Sequence, residues 1–208
     1  MTIGIAKARN SHIFERHEHD RYVEPAWCTK RLFAVERFAG LIWDPACGLG
    51  TILKAARDAH YSSYGSDIAQ DAIGTLQDFF TAASPVKGFS IVTNPPFGLI
   101  REFAEHALEL GALKVALICP VARLNAAHWL ELLPLSRLWL LTPRPSMPPA
   151  DVILRGEKPG GGRADFCWLV FEPGHEGEAT IGWLHRETEP RRVVPTKKST
   201  DCFDNGAR

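Results

Sequence analysis

Short apolar segments alternate with helix-like segments along most of the chain. Candidate strands fall at 41–43, 61–65, 73–77, 89–93 and 114–118, and candidate helices at 25–38, 52–60, 69–72, 99–110 and 123–133. Such alternation with short connections is typical of a doubly wound parallel α/β sheet. Two further strands, at 138–141 and 166–171, are joined by a Pro/Gly-rich loop without a helical pattern. We therefore predict a mostly parallel, seven-stranded sheet that ends in an antiparallel hairpin.

The chain length and the charge pattern indicate one main domain. The 208 residues suit a single core, which we place at residues 22–184. Residues 1–21 are mostly polar and predict a loosely held N-terminal arm, and residues 185–208 predict a charged tail that is only partly ordered. The formal net charge is zero, which argues against a protein that wraps nucleic acid by bulk electrostatics. A local basic patch stays open.

Cysteine and histidine positions give no pattern of a metal site. The five cysteines lie far apart without a CxxC pair, and His12, His17 and His19 have no second ligand cluster near them in sequence. No apolar run approaches the ~20 residues that span a bilayer. The first residues also lack the layout of a signal peptide. We expect a cytoplasmic protein with reduced cysteines, no metal and no membrane segment.

The segment DPACGLGT, residues 44–51, occupies the first strand-to-helix turn, where doubly wound folds bind nucleotides. Gly48 and Gly50 allow a sharp turn and a close approach of the backbone to a ligand. The segment lacks the third glycine of a dinucleotide motif and the lysine of a P-loop. Asp44 has the wrong charge for a phosphate neighbour but suits a ligand with a positive amino group.

Acidic residues also end the next two candidate strands. Asp67 is placed to accept hydrogen bonds from both hydroxyls of a ribose. Asp78 follows the third candidate strand, and Phe79 beside it offers a flat apolar face. Taken singly, Asp44 and Asp67 could be helix caps and Phe79 a core residue. Taken together at strand ends, these residues predict a pocket for S-adenosyl-L-methionine.

The segment TNPPFG, residues 93–98, follows the fourth candidate strand. The Asn94 side-chain oxygen and the Pro95 carbonyl can accept two hydrogen bonds from an amino group on an aromatic ring, which makes its nitrogen more nucleophilic. Pro95 and Pro96 fix the backbone in advance, and Phe97 can stack on the ring. The alternative is a rigid helix start capped by Asn94. We interpret Asn94, Pro95, Pro96 and Phe97 as a catalytic cradle for an acceptor amino group.

DPACGLGT, SDI, QDFF and TNPPFG, in this order, resemble the motif series of class I S-adenosylmethionine-dependent amino-methyltransferases. The likeness is closest to small phage and prophage DNA adenine-N6 methyltransferases and covers roughly residues 21–172. It implies a Rossmann-like methyltransferase fold. RYVEPAW, residues 21–27, is similar to the family's Tyr–Pro–Trp cofactor motif, although Glu24 stands where many members have threonine. The cofactor-binding residues that the resemblance implies are Tyr22, Pro25, Trp27, Asp44, Ala46, Gly48, Gly50, Asp67, Ile68, Asp78, Phe79 and Asn94.

The resemblance implies methyl transfer to adenine N6 in DNA, with the target base extruded from the duplex. The same motif also serves cytosine N4, guanine N2 in RNA and glutamine in proteins, and a binding module that has lost catalysis is a further alternative. No large target-recognition insert is visible. The tip at 144–163 is the candidate nucleic-acid interface, with four basic side chains against two acidic ones; a solvated glycine loop is the alternative. The basic residues are Arg144, Arg155, Lys158 and Arg163.

Overall fold

The computed structural model describes residues 22–157 and 160–186, which form an α/β domain around one eight-stranded sheet. The strand order is β3-β2-β1-β4-β5-β7-β6-β8. Strands β1 to β5 run parallel, β7 is antiparallel to both β5 and β6, and β8 is parallel to β6. The strands are β1 Leu41–Asp44, β2 Ser63–Asp67, β3 Thr75–Leu76, β4 Phe89–Thr93, β5 Val115–Pro120, β6 Leu135–Thr142, β7 Phe166–Phe171 and β8 Thr180–His185.

The helices cover both faces of the sheet. They are α1 Ala26–Val35, α2 Thr51–Asp58, α3 Ile100–Glu109 and α4 Ala150–Leu154. Successive side chains of a strand point to opposite faces, so Ile42 packs in the core with α1 and α2 while Trp43 packs in the core with α3. Every residue of β4 and β7 is buried, as their continuous apolar sequences require. The doubly wound, Rossmann-like fold with an antiparallel end is confirmed.

Three details differ from the prediction. The sheet has an eighth strand, β8, whose Ile181 and Trp183 are exposed, so it lacks the buried apolar pattern of a strand. Residues 69–72 form turns instead of a helix, and β3 is only two residues long. Residues 123–133 do not form one α-helix, because this region consists of two 3₁₀ segments, Val121–Ala126 and His128–Leu132. Neither segment has a buried side chain that would hold a regular helix against the core.

The predicted N-terminal arm, with its three histidines, and tail residues 187–208 lie outside the described residues. The domain limits at 22 and 184 stay a prediction, although β8 continues to His185. Across 22–157 and 160–186, no helix is long and apolar enough to cross a membrane. The same stretches contain no group of three or more His, Cys, Asp or Glu side chains suited to a metal ion.

A buried ion-pair cluster joins the end of α1 to the strands β5, β6 and β7. It consists of Glu36, Lys114, Arg137 and Glu172. The Lys114 ammonium lies 2.9 Å from Glu36 and 2.7 Å from Glu172, and Arg137 contacts both carboxylates. The indole N–H of Trp139 donates a further hydrogen bond of 2.8 Å to Glu36. Each carboxylate is therefore matched by two cations.

The pKa values of this cluster follow from that matching. Burial alone would raise the pKa of Glu36, but hydrogen bonds from Arg137, Trp139 and Lys114 outweigh it and the pKa lies below its ordinary value. Burial acts in the same way on Glu172, and hydrogen bonds from Arg137 and Lys114 lower its pKa to about 2. Both carboxylates are charged in the folded protein at neutral pH. The cluster stabilises the fold in its ionised form.

Candidate functional site

A cavity of about 540 Å³ opens at the carboxyl ends of the parallel strands. Asp44 ends β1, Asp67 ends β2 and Asn94 follows β4, and all three side chains line this cavity. Neighbouring parallel strands end at the same edge of a sheet, which is where open α/β sheets bind ligands. The volume lies within the ~300–1,000 Å³ typical of small-molecule and cofactor sites. The sheet thus brings together residues that are up to fifty positions apart in sequence.

Most of the residues predicted to bind the cofactor line this cavity, and some do not. Those that line it are Tyr22, Asp44, Ala46, Gly48, Asp67, Ile68, Asp78, Phe79 and Asn94, and the catalytic candidate Pro96 lines it as well. Pro25 instead precedes the first turn of α1, and Trp27 packs against the core beneath that helix. Gly50, Pro95 and Phe97 also lie just outside the lining. The cofactor contacts of Pro25 and Trp27 stay predictions that this geometry does not favour.

The glycine turn is shaped by two left-handed residues. Gly50 has φ +74° immediately before α2, and a Cβ atom there would collide with the side chain of Ile73. Gly48 has φ +44°, and its backbone N–H donates a hydrogen bond of 2.8 Å to Asp67. Gly50 therefore serves the packing of the turn, whereas Gly48 fixes a carboxylate at the cavity wall.

Asp67 is held on both carboxylate oxygens. Oδ2 accepts the hydrogen bond from Gly48, and Oδ1 accepts one of 2.9 Å from the backbone N–H of Ala69. Each oxygen retains a lone pair for a further donor. Because two fixed acceptors stand side by side at the cavity, Asp67 can accept hydrogen bonds from two adjacent hydroxyl groups.

Asp44 lies deeper, with 2% of its surface exposed. Its Oδ1 accepts a hydrogen bond of 2.7 Å from the Thr93 hydroxyl and one of 3.2 Å from the backbone N–H of Ala46. Burial raises the pKa of Asp44 well above its ordinary value, and the nearby charges of Glu24 and Asp67 raise it further despite those hydrogen bonds. A positively charged ligand would offset this effect and favour the ionised form of Asp44.

Glu24 is the functional candidate that the sequence did not reveal. Its side chain is 5% exposed and lines the cavity, and its Oε2 accepts a hydrogen bond of 3.0 Å from the Asn94 amide. Burial raises the pKa of Glu24 to about 7, against the opposing hydrogen bonds. Within the described part of the chain, neither Glu24, Asp44 nor Asp67 forms an ion pair with a lysine or arginine. The only sequence signal was the departure from threonine.

Asn94 presents its oxygen to the cavity. Its Nδ2 donates one hydrogen bond of 2.6 Å to the Tyr22 carbonyl oxygen and the other to Glu24. Both partners are acceptors, so the amide nitrogen must face them. The Oδ1 atom accepts no hydrogen bond from the described residues and is left for a donor in the cavity. Pro95 is buried behind it, and Pro96 lines the cavity.

The ring of Phe97 is partly covered by another ring. Tyr22 stacks on it with ring centroids 5.5 Å apart and planes within 2°, and Phe166 approaches at 5.6 Å with a tilt of 48°. An acceptor ring can therefore reach Phe97 only on the surface that Tyr22 leaves uncovered. Tyr22, which lines the cavity directly, is a second candidate for contact with an acceptor ring.

Phe79 is both a core residue and part of the cavity wall, and the sequence had left open which of these roles it has. It lines the cavity, but it is 2% exposed and packs at 5.3 Å from Trp43 and 4.8 Å from Phe103. Its neighbour Phe80 is 40% exposed and also lines the cavity. The Asp78 carboxylate accepts a hydrogen bond of 3.0 Å from the Phe80 backbone N–H. Asp78 thus caps a 3₁₀ turn at the cavity wall and has further lone pairs available.

The predicted nucleic-acid interface is largely neutralised within the protein. Arg144 forms a two-point ion pair with Asp165 at 2.7 and 3.0 Å. Arg155 pairs with Asp151 at 2.7 Å and with Glu157 at 2.6 Å. Arg163 is exposed and has no ion pair among the described residues, and Lys158 lies outside them. The expected positive excess is therefore absent from the described part of this tip, because Asp165 follows it in sequence and folds onto it.

The comparisons with known proteins show the fold. No protein-family model matches the chain, and no curated protein matches it by sequence. A solved structure described as a predicted O-methyltransferase, from Agrobacterium tumefaciens, is similar with a TM-score of 0.51 and 16% identity, over 77% of this chain and 85% of that one. A solved structure from Pyrococcus horikoshii, described as a proposed RNA methyltransferase, gives a TM-score of 0.49 and 17% identity, over 71% of this chain and 80% of that one.

Proposed function

We propose that this protein transfers a methyl group from S-adenosyl-L-methionine to an exocyclic amino group, and that the acceptor is adenine N6 in DNA. The observation that carries the proposal is the Asn94 amide, whose two N–H groups are taken up by Tyr22 and Glu24 while its oxygen faces the cavity. An oriented acceptor beside a rigid Pro-Pro turn suits a donor that must be held during reaction.

The cavity residues fit the cofactor by their chemistry. S-adenosyl-L-methionine carries a sulfonium and an ammonium group, and the cavity wall includes Glu24, Asp44 and Asp67, which pair with no lysine or arginine in the part of the chain that the structure describes. Asp67 has two oriented acceptors for ribose hydroxyls. Asp44 is placed to bind a cationic group deep in the cavity. When bound, the cofactor supplies an activated methyl group for direct transfer.

The protein's part in the reaction is to bind and orient the acceptor. The Asn94 oxygen and the Pro95 carbonyl accept the two N–H groups of the amino nitrogen, so its lone pair turns away from the ring and toward the methyl group. Charge that develops on this nitrogen is stabilised by the same two oxygens, of which the Asn94 oxygen is oriented by the hydrogen bonds of its amide to Tyr22 and Glu24. No covalent bond to the enzyme is needed. The product nitrogen then loses a proton.

The choice of adenine in DNA rests on the resemblance of the sequence motifs. The base must leave the stack to reach a buried amino-group cradle. DNA phosphates would have to displace the carboxylates from Arg144 and Arg155, which is feasible because exposed ion pairs are weak. The free thiols Cys28, Cys47, Cys119 and Cys167 fit the cytoplasmic location that we expect.

Methyl transfer can be measured with radiolabelled S-adenosyl-L-methionine and a mixture of DNA, RNA and protein that is separated after the reaction. We expect label in DNA, as N6-methyladenine after hydrolysis, and far less with Asn94→Ala. Label in RNA bases or in glutamine side chains would show that the acceptor is RNA or protein instead of DNA. The proposed methyl transfer to nitrogen would still hold. Cofactor binding without label in any fraction would identify a catalytically inactive binding module and refute the proposal.

A further inference from the structure

Across the residues that the structure describes, Glu24 is the one buried carboxylate with a hydrogen bond to a proposed catalytic side chain, Asn94. The segment that carries it is fixed from outside the cavity, because Tyr22 forms a β-bridge with Pro149 and the Val23 N–H donates to the Pro148 carbonyl at 2.9 Å. Pro25 and α1 follow immediately. The position of the Glu24 carboxylate is therefore set by the fold, independently of any ligand.

The hydrogen bonds of Asn94 give Glu24 a specific task. An amide can rotate by half a turn and exchange its oxygen and nitrogen, which would point N–H groups at an acceptor's own N–H groups. The Tyr22 carbonyl at 2.6 Å and the Glu24 carboxylate at 3.0 Å both accept, so they oppose this rotation. Donation to an ionised carboxylate also moves electron density toward the amide oxygen, which becomes a better acceptor.

We propose that Glu24 is a positioning residue for methyl transfer, which holds the Asn94 amide with its oxygen toward the acceptor and does so best as a carboxylate. This inference rests on the proposed function and names a residue that acts through Asn94. It also explains why a costly buried glutamate stands at this position, where a residue serving only to fill space would be uncharged.

Burial is the main influence on when Glu24 ionises. The titratable groups that face it come from β1, α1 and α2, and are Asp44, Cys28, Lys30, Lys54 and Arg57. Lys30 and Lys54 are both engaged by Asp58 at 3.1 Å. With a pKa of about 7, Glu24 is part protonated near neutral pH. A cationic ligand beside Asp44 would favour its ionised form, so cofactor binding would prepare Asn94 for the acceptor.

The test compares Glu24→Gln and Glu24→Ala with the wild type, and uses Glu178→Gln as a matched control on an exposed glutamate between β7 and β8. Glu24→Gln keeps an oxygen for the Asn94 amide but removes the charge, and it is the variant to rely on if the alanine variant does not fold. Three readouts are needed: the single-turnover rate across pH, the cofactor affinity, and the Asn94 side-chain amide signals in NMR.

We expect the rate of Glu24→Ala to fall on the order of a hundredfold, the loss that a misplaced catalytic group can cause. Glu24→Gln should lose less rate and should lack the rise with pH that the wild type shows as Glu24 ionises. The Asn94 amide signals should titrate near neutral pH in the wild type and not in Glu24→Gln. Glu178→Gln should match the wild type in all three readouts.

Two results would overturn the inference: wild-type transfer rates and pH profiles in both Glu24 variants, or Asn94 amide signals that do not respond to pH or to either substitution. The failure of the proposed function is distinguishable. If the wild type methylates no acceptor while its Asn94 signals still titrate with Glu24, the proposed reaction is refuted. The contact by which Glu24 positions the Asn94 amide is then still supported.

Discussion

The molecule contains two groups of buried or half-buried carboxylates that have opposite surroundings. In the ion-pair cluster, Glu36 and Glu172 are matched by Lys114 and Arg137, and their pKa values are lowered. At the cavity, Glu24 and Asp44 have no such partner among the described residues, and their pKa values are raised. The charges of the first group are matched by cations within the fold. The second is left for a ligand.

This contrast separates stability from function without reference to any relative. A buried carboxylate that is raised in pKa costs folding free energy, and a protein keeps such a cost where a site needs it. The cavity carboxylates line a cavity of about 540 Å³, whereas those of the ion-pair cluster are contacted by Lys114 and Arg137. We therefore expect opposite responses when each group is neutralised.

The largest effect should follow from breaking the ion-pair cluster. Arg137→Met leaves Glu36 with Lys114 alone, and loss of one partner of a buried pair costs up to about 3–5 kcal/mol of unfolding free energy. Chemical denaturation measures this change. The matched control is Arg144→Met, which removes an exposed pair and should change the free energy of unfolding much less. Equal effects of the two substitutions would remove the distinction between buried and exposed pairs.

Neutralising a cavity carboxylate should have the opposite sign. The folded pKa of Glu24 is raised from 4.5 to about 7, so it stabilises the fold below the lower value and loses that contribution as pH rises through the higher one. At about pH 8, Glu24→Gln should therefore be more stable than the wild type by up to about 3 kcal/mol. The difference should vanish in acid. A destabilised variant at high pH would contradict the burial cost that we assign to Glu24.

The wild-type protein should show the reverse pH response through the ion-pair cluster. Because the pKa of Glu172 is lowered to about 2, it stabilises the fold above its ordinary value, and this contribution is lost as pH falls toward 2. Unfolding curves recorded between about pH 2 and pH 8 thus separate the two groups: a fall in pH below the ordinary glutamate pKa weakens the cluster, whereas a rise in pH from 4.5 to about 7 weakens the cavity.

Asn94→Ala tests whether the Asn94 side chain at the cavity takes part in methyl transfer. Loss of one preorganised acceptor should lower the single-turnover rate by on the order of a hundredfold or more, because the contact strengthens as charge develops in the transition state. Cofactor affinity should change little, since the Asn94 oxygen serves the acceptor. If Asn94→Ala methylates at the wild-type rate, residues 93–98 are only a stiff turn.

Asp67→Ala should give the smallest of these effects. Removal of its two oriented oxygens should weaken binding of S-adenosyl-L-methionine by about 1–3 kcal/mol, the loss expected for hydrogen bonds to a charged group. Calorimetric titration measures it, with Asp58→Ala as a control on an exposed carboxylate of α2. Unchanged affinity would show that Asp67 does not bind the ribose hydroxyls of the cofactor.

The sequence predicted the parts of the fold that are recorded locally. The continuous apolar residues of β4 and β7 and the glycine turn after β1 are visible in a short window, and so are Asp44, Asp67 and Asn94 at strand ends. Strand β8 was missed because an edge strand with one fully buried apolar side chain, Leu184, has no continuous pattern.

The remaining features depend on contacts between distant residues. The hydrogen bond from Asn94 to Glu24 spans seventy positions, and the ion pair from Arg144 to Asp165 spans twenty-one. Periodicity and motif spacing carry no information on such pairs, so the sequence read Glu24 only as a departure from a motif and did not show that Asp165 pairs with Arg144. The stacking of Tyr22 on Phe97 was hidden for the same reason.

Calorimetric titration of S-adenosyl-L-methionine near neutral pH, in two buffers that differ in ionisation enthalpy, tests whether the cavity carboxylates are left for a cation. If the cavity carboxylates are left for a cation, the cofactor should bind and Glu24, with its pKa of about 7, should release protons to the buffer as it ionises. Glu24→Gln should bind with a smaller proton release. Absence of binding, or binding with the same proton exchange in the wild type and in Glu24→Gln, would contradict the account.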